Sequence, residues 1–226
     1  MRFDLISAVP ETFDSIFGAS ILKIAREKGL AEYFVHNLHD YADDKYRHID
    51  DYPFGGGAGM LIKCEPIARC IDKLKEERAY DEIIYMTADA RQLTQHISNE
   101  LCQVENIIVI CGHYKGIDQR IRDLYVTREI SIGDYVLSGG ELPAAVLVDS
   151  IVRIIPGVIG DAESALDDSF QDGLLAAPMY TRPAIWRGMA VPEELTSGNH
   201  ALINNWRREK SVEQTKRVRP DLLDKH

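Results

Sequence analysis

Three glycine-bearing segments and two isolated ionisable residues stand out as candidates for chemistry in this 226-residue chain. The first segment is Pro53-Phe54-Gly55-Gly56-Gly57-Ala58-Gly59-Met60. As a dinucleotide fingerprint it fails, because Met60 stands where the third glycine belongs and no strand leads into it. As a phosphate loop it lacks the following Gly-Lys-Ser/Thr. What is left is a backbone needing unusual dihedrals or close approach, either a flexible turn or a loop that touches a ligand. The second segment, Cys111-Gly112-His113-Tyr114-Lys115-Gly116-Ile117-Asp118, directly follows the most apolar run in the chain. The third, Ile130 to Pro143, places Gly139-Gly140 just before an apolar helical stretch. Its main-chain N–H and C=O groups can read the edge of a flat base without side chains. In an open α/β sheet, ligands bind beyond the carboxyl ends of the strands. Two such loops after neighbouring strands therefore point to one shared small-molecule pocket. Arg153 falls at the end of the apolar helix, where a cation also complements the helix C-terminus. Asp168 lies in an acidic stretch, where a merely solvated residue is the plain alternative.

These loops need a frame, and hydrophobic periodicity supplies one. Residues 2–9 read as a buried strand ending at Pro10, and 31–38 as a second. Phe13, Ile16, Phe17, Ile21 and Ile24 recur at helical spacing, with Gly29 as the stop. Residues 40–60 have loop chemistry. Pro66 suits the first turn of a helix to about Arg78. Residues 83–86 read as a strand, 91–104 as a helix, and Ile107 to Cys111 as a strand buried on both faces. A short helix over 117–124, a strand near 126–132 and an apolar helix over 142–155 follow. Strands alternating with helices predict an α/β domain with a largely parallel sheet over residues 1–160. Residues 161–174 hold Asp161, Glu163, Asp167, Asp168 and Asp172 without Lys or Arg, and read as an acidic linker. Residues 175–226 read as a small helical second domain.

Composition sets bounds on partners. Hydrophobic residues make up 45% and charged residues 27%, an ordinary globular mixture. The formal charge of −10 argues against nucleic acid as a general partner, since phosphate binding leaves a basic footprint. Any RNA contact must come from a local patch. Residues 206–220 offer one, with Arg207, Arg208, Lys210, Lys216, Arg217 and Arg219 against Glu209 and Glu213. A solvated helix face is the plain alternative there. Cys64, Cys70, Cys102 and Cys111 form no C-x-x-C pair and read as reduced thiols of a cytoplasmic protein, with no metal site. An acid at position 4 argues against a signal peptide, and no stretch is long and apolar enough to span a membrane.

Taken together and in order, these segments resemble the bacterial tRNA (guanine-N1)-methyltransferase family. The resemblance runs through 53–60, 111–118 and 130–143. It continues with Arg153-Ile154-Ile155-Pro156-Gly157-Val158, Asp168-Ser169-Phe170, Tyr180-Thr181-Arg182-Pro183 and Ser197-Gly198-Asn199-His200. It covers nearly the whole chain, and the run from Ser131 to Pro143 is its most specific part. It implies an α/β parallel-sheet SPOUT methyltransferase domain whose loops are threaded as a deep trefoil knot, which general folding rules would not suggest. It also implies a homodimer with active sites shared between subunits, in line with two-fold symmetry as the common case. The implied donor is S-adenosyl-L-methionine, held by Tyr85, Met86, Thr87, Gly112, Tyr114 and Gly116. Ile132, Gly133, Tyr135, Leu137, Gly139, Gly140 and Pro143 complete that pocket. Nothing in the residues speaks for or against a Mg2+ requirement.

The implied reaction methylates N1 of guanosine 37 in tRNA, next to the anticodon. N1 carries a proton and is a poor nucleophile until it is lost. A carboxylate serves as general base, worth typically ~10²–10⁴-fold, and Asp168 matches that position. Deprotonation moves negative charge onto O6, which a fixed guanidinium stabilises, and Arg153 matches that role. Expected tRNA contacts are Arg182 and His200, with Arg207, Arg208 and Lys210 from the basic patch. The chain also departs from the family pattern. Thr87-Ala88-Asp89-Ala90 replaces the usual Ser-Pro-Gln-Gly, and His39 stands where Arg is common. His113 and Lys115 replace the Arg and Glu of Cys-Gly-Arg-Tyr-Glu-Gly, so position 115 is not carried over as a contact. Three alternatives compete: a non-catalytic RNA-binding protein of the same fold, a knotted methyltransferase of rRNA, and a nicotinamide oxidoreductase. The glycine fingerprint and downstream acid of the last are absent.

Overall fold

Five apolar-cored strand segments alternate with helical segments, and this pattern builds the larger part of the molecule. A computed structural model describes residues 1–160 and 168–223. In chain order the strands of the first part are β1 (Arg2–Ser7), β2 (Glu32–Asn37), β3 (Asp50–Asp51), β4 (Leu61–Ile62), β5 (Glu82–Gln92), β6 (Asn106–Cys111) and β7 (Arg128–Ser131). Its helices are α1 (Asp14–Phe17), α2 (Ser20–Glu27), α3 (Cys64–Glu77), α4 (Gln95–Leu101), α5 (Gln119–Tyr125) and α6 (Glu141–Val152).

The main sheet runs β2-β1-β6-β5-β7 and every pairing in it is parallel. Side chains alternate across it with the period of two that a strand imposes. Phe3, Leu5, Ile84, Met86, Ile107 and Val109 share one core with residues of α1, α2, α4 and α6. Ile6, Ile83, Tyr85, Ile108 and Ile110 share the other with α3 and α5. The continuous apolar character of β6 follows from its central place, with helices over both faces. The five-stranded parallel α/β architecture expected from the sequence is present.

Several boundaries differ from the sequence expectation, each for a local reason. The helical pattern over residues 13–24 is split into a 3₁₀ turn, α1 and α2. The chain turns at Gly18, whose hypothetical Cβ would stand 2.9 Å from the Asp14 carbonyl, and Ser20 takes φ 49°. Strand β5 continues to Gln92, so α4 begins at Gln95 instead of Arg91. Thr94 marks the start, its Oγ1 accepting from the Ile97 N–H at 3.4 Å. Met86 and Arg91 both register with Ile130, so residues 87–90 bulge out of the strand.

The chain divides into two compact units, 1–160 and 161–226. Part of the expected acidic linker, residues 161–167, lies outside the described residues. From Asp168 the chain makes tight turns, with the Phe170 N–H donating to Leu174 O at 2.7 Å. The second unit contains more than helix. β8 (Ile185–Trp186) and β9 (Met189–Ala190) form an antiparallel hairpin. Its two turn residues, Arg187 and Gly188, take φ 53° and 81°, as a tight hairpin turn demands. α7 (Glu193–Thr196) and the long α8 (His200–Val218) follow. Asn199 caps α8, its side-chain oxygen accepting from the Ala201 and Leu202 N–H groups. Trp206 and Thr215 are the buried residues of α8, and Thr215 Oγ1 accepts from the Leu175 N–H at 2.9 Å.

Candidate active site

Strands β5, β6 and β7 are neighbours and end on one side, so the segments that leave them meet. Residues 85–89, 112–117, 130–133 and 135–140 with Pro143 line one cavity of about 360 Å³. That size is ordinary for a small-molecule site. Every residue expected to hold the cofactor is on its wall: Tyr85, Met86, Thr87, Gly112, Tyr114, Gly116, Ile132, Gly133, Tyr135, Leu137, Gly139, Gly140 and Pro143.

Glycine is required here by backbone proximity. The Gly140 N–H donates to Gly112 O at 2.6 Å, and His113 and Gly139 form an isolated antiparallel bridge. A Cβ at Gly140 would stand 2.6 Å from Gly112 N and 2.8 Å from Cys111 Cα, which no side-chain motion could relieve. The end of the third loop is thus pressed against the start of the second. Below this contact, buried Ser7 at the end of β1 donates to Oε1 of buried Glu141 at 2.7 Å. Glu141 opens α6, where a carboxylate also suits the positive end of the helix dipole.

The cavity wall has one fixed charge cluster. Arg122 on α5 donates to Glu129 at 2.6 Å and 2.8 Å and to Asp89 at 3.1 Å. Its guanidinium also lies 5.4 Å from the Tyr85 ring centroid. Asp89 additionally accepts from Thr87 Oγ1 at 2.5 Å, and both bonds hold its carboxyl below the usual range. Burial pushes the Tyr85 phenol above its ordinary value, so it stays neutral. Arg122, Asp89, His113 and Lys115 were not among the residues assigned from sequence. Each lies beside an assigned loop, but the ion pairs join segments that no spacing rule connects.

Two features fit this wall to a nucleoside-bearing cofactor such as S-adenosylmethionine. Gly112, Gly133, Gly139 and Gly140 line the cavity without side chains, so a flat base can approach the main chain there closely. Nδ1 of His113 is buried and makes no hydrogen bond among the described residues. A buried polar atom without a partner is costly, and a ligand group can satisfy it.

Other expected site residues lie elsewhere. Arg153 caps α6 at its C-terminus, its N–H donating to Asp149 O at 3.1 Å. Asp168 belongs to the second unit and lines a cavity of about 710 Å³ there. Arg207 and Arg208 of α8 line the same cavity, beside Tyr180 and Asn204. The structure therefore gathers the candidate base and two expected RNA-binding arginines in one recess. Arg182 and His200 do not line it, and both are exposed. Lys210 is half-buried and is engaged by Glu213 at 2.6 Å. Among the described residues, no helix is long and apolar enough to cross a membrane.

Comparison with known proteins adds an independent observation. Residues 1–225 match the model of the family described as tRNA (Guanine-1)-methyltransferase TrmD. A tRNA (guanine-N(1)-)-methyltransferase of Bacteroides thetaiotaomicron is 59% identical over 224 residues, covering 99% of this chain and 100% of the relative. That of Christiangramia forsetii is 60% identical over 224 residues, 99% of each chain. That of Flavobacterium johnsoniae is 57% identical over 226 residues, the whole of both.

Proposed function

Since the chain belongs to the tRNA (guanine-1)-methyltransferase family, we propose that it methylates N1 of guanosine 37 in tRNA, using S-adenosylmethionine. The observation that carries this reading is the meeting of three segments at one cavity beyond β5, β6 and β7. The bound cofactor supplies an electrophilic methyl group on a sulfonium. Gly112, Gly133, Gly139 and Gly140 offer main-chain atoms to its adenine, and Ile132, Leu137 and Pro143 offer apolar cover. The close Gly140–Gly112 contact is consistent with the threaded, knotted loop arrangement of this family, which we include in the proposal.

Methyl transfer needs N1 as a nucleophile, so its proton must leave. Asp168 accepts that proton, and Arg153 stabilises the charge that develops on O6. Arg207 and Arg208 share a recess with Asp168 and are placed to hold the RNA backbone near the base. Arg182, His200 and Lys210 add further RNA contacts from the second unit. The enzyme works as a homodimer whose subunits share each active site.

Single-turnover methylation tests the assignment of the base. Asp168→Asn keeps shape and polarity but cannot take a proton at neutral pH, so the rate should fall by roughly 10²-fold or more. Asp167→Asn is the neighbouring control and should cost much less. Arg153→Ala should slow the same step, with an effect that does not add fully to that of Asp168→Asn, because both act on one transition state. Asp168→Asn retaining most of its rate would refute the assignment.

A further inference from the structure

The charged groups on the wall of the 360 Å³ cavity are not equivalent. Arg122 is neutralised by Glu129 and Asp89, and Asp89 is committed to Arg122 and Thr87. Lys115 also lines the cavity, yet among the described residues it has no carboxylate within ion-pair distance. Among the described residues it is a cation on the wall without an ion-pair partner.

Its position is fixed from behind. The Lys115 N–H donates to Met60 O at 3.0 Å, the Ile62 N–H to Gly116 O at 3.0 Å, and the Asp118 N–H to Ile62 O at 3.1 Å. The end of the glycine-rich segment thereby docks on the second loop. The aliphatic stem of Lys115 then lies over Gly59. A Cβ at Gly59 would stand 2.7 Å from Lys115 Cγ and 3.1 Å from its Cε, and Gly59 has φ 98°. Glycine at position 59 thus gives the stem its bed, which is a specific role for part of a segment that sequence reading left open.

We propose that Lys115 is a specificity residue of this cavity that binds the carboxylate of the cofactor's amino-acid tail. The inference rests on the cavity being the S-adenosylmethionine site proposed above. That molecule carries a sulfonium, an ammonium and a single anionic group, the carboxylate. An unpaired ammonium on the wall repels the first two and attracts the third, so the charge alone selects the tail's carboxylate. The family's usual glutamate at this position would face the tail with the opposite sign, so this chain reads the tail differently.

Calorimetric titration with S-adenosylmethionine and with its decarboxylated form separates the possibilities. Lys115→Met keeps the stem over Gly59 and removes the charge, and Lys115→Arg keeps the charge. Wild type should bind S-adenosylmethionine roughly five- to tenfold more tightly than the decarboxylated form, the scale of an ion pair at a half-open site. Lys115→Met should abolish that preference by weakening S-adenosylmethionine binding, while the decarboxylated form binds as before or tighter. Lys115→Arg should retain the preference. Equal weakening of both ligands, or no change in either, would overturn the proposal while leaving the cavity assignment standing. A Lys115→Met protein that differs from wild type only in its KM for tRNA would place the ammonium on RNA and overturn it as well. Wild type binding neither ligand would remove the cavity assignment, and this proposal with it.

Discussion

Replacing Gly140 by Ala perturbs the point where the third loop presses on the second. The added Cβ would meet main chain only, at 2.6 Å from Gly112 N, 2.8 Å from Cys111 Cα and 3.0 Å from Cys111 C. Relief therefore requires separating two backbone segments. Overpacking of this kind costs about 1–3 kcal/mol. Separation also lengthens the Gly140 N–H bond to Gly112 O, now 2.6 Å, at a further ~0.5–1.5 kcal/mol. Against this, Ala reduces the freedom of the unfolded chain and returns about 0.4–1 kcal/mol. Gly140 has φ −84°, so no dihedral penalty enters. The net expectation is a destabilisation of about 0.5–4 kcal/mol. Gly160→Ala is the internal control, because no atom of the described residues stands within 4 Å of its Cβ. Urea denaturation should show a clearly lower midpoint for Gly140→Ala and a near wild-type midpoint for Gly160→Ala. Calorimetry should show weaker S-adenosylmethionine binding for Gly140→Ala alone. Equal midpoints and equal affinities would refute the claim that this backbone contact shapes the cavity.

A second expectation concerns acid stability. Asp4 is fully buried; burial raises its pKa, but hydrogen bonds with His36, Arg2 and Tyr80 outweigh this and hold it at about 2 against an ordinary 3.8. A depressed folded pKa gives stability that is complete above the unfolded value and is lost as pH falls from about 4 to about 2. Asp4→Asn should lower stability at pH 7 by roughly 2 kcal/mol and flatten this acid limb in pH-resolved denaturation. An unchanged limb would dismiss the network. A third concerns RNA: Arg207→Ala with Arg208→Ala should raise KM for tRNA and flatten its salt dependence by about one unit of slope per lost phosphate contact. Lys210→Ala should do less, since Glu213 already engages that ammonium. Equal effects of the three, measured across salt, would show that the recess holding Asp168 is not privileged.

The central frame was legible because burial on both faces leaves a direct mark on sequence. Ile107 to Cys111 has no polar residue, and it is a central strand. The glycine loops were legible for a related reason, since Gly140 and Gly112 occupy a contact that excludes side chains. Other features left weaker marks. The hairpin at Ile185–Ala190 has strands of two residues, too short for alternation to appear. The bulge at 87–90 depends on pairing with β7, a partner some forty residues away. The Arg122–Asp89–Glu129 cluster joins three elements and has no local spacing signature. The bed of Lys115 on Gly59 arises only when two distant loops dock.

The most direct test of the account is the chemical identity of its product. Purified protein should be incubated with S-adenosylmethionine and an unmodified tRNA transcript bearing guanosine at position 37, and the tRNA then digested to nucleosides for mass spectrometry. The account predicts N1-methylguanosine approaching one per tRNA, and none when position 37 is adenosine. A guanosine methylated at another atom or position, or tRNA left unmethylated by protein that binds both substrates, would contradict it.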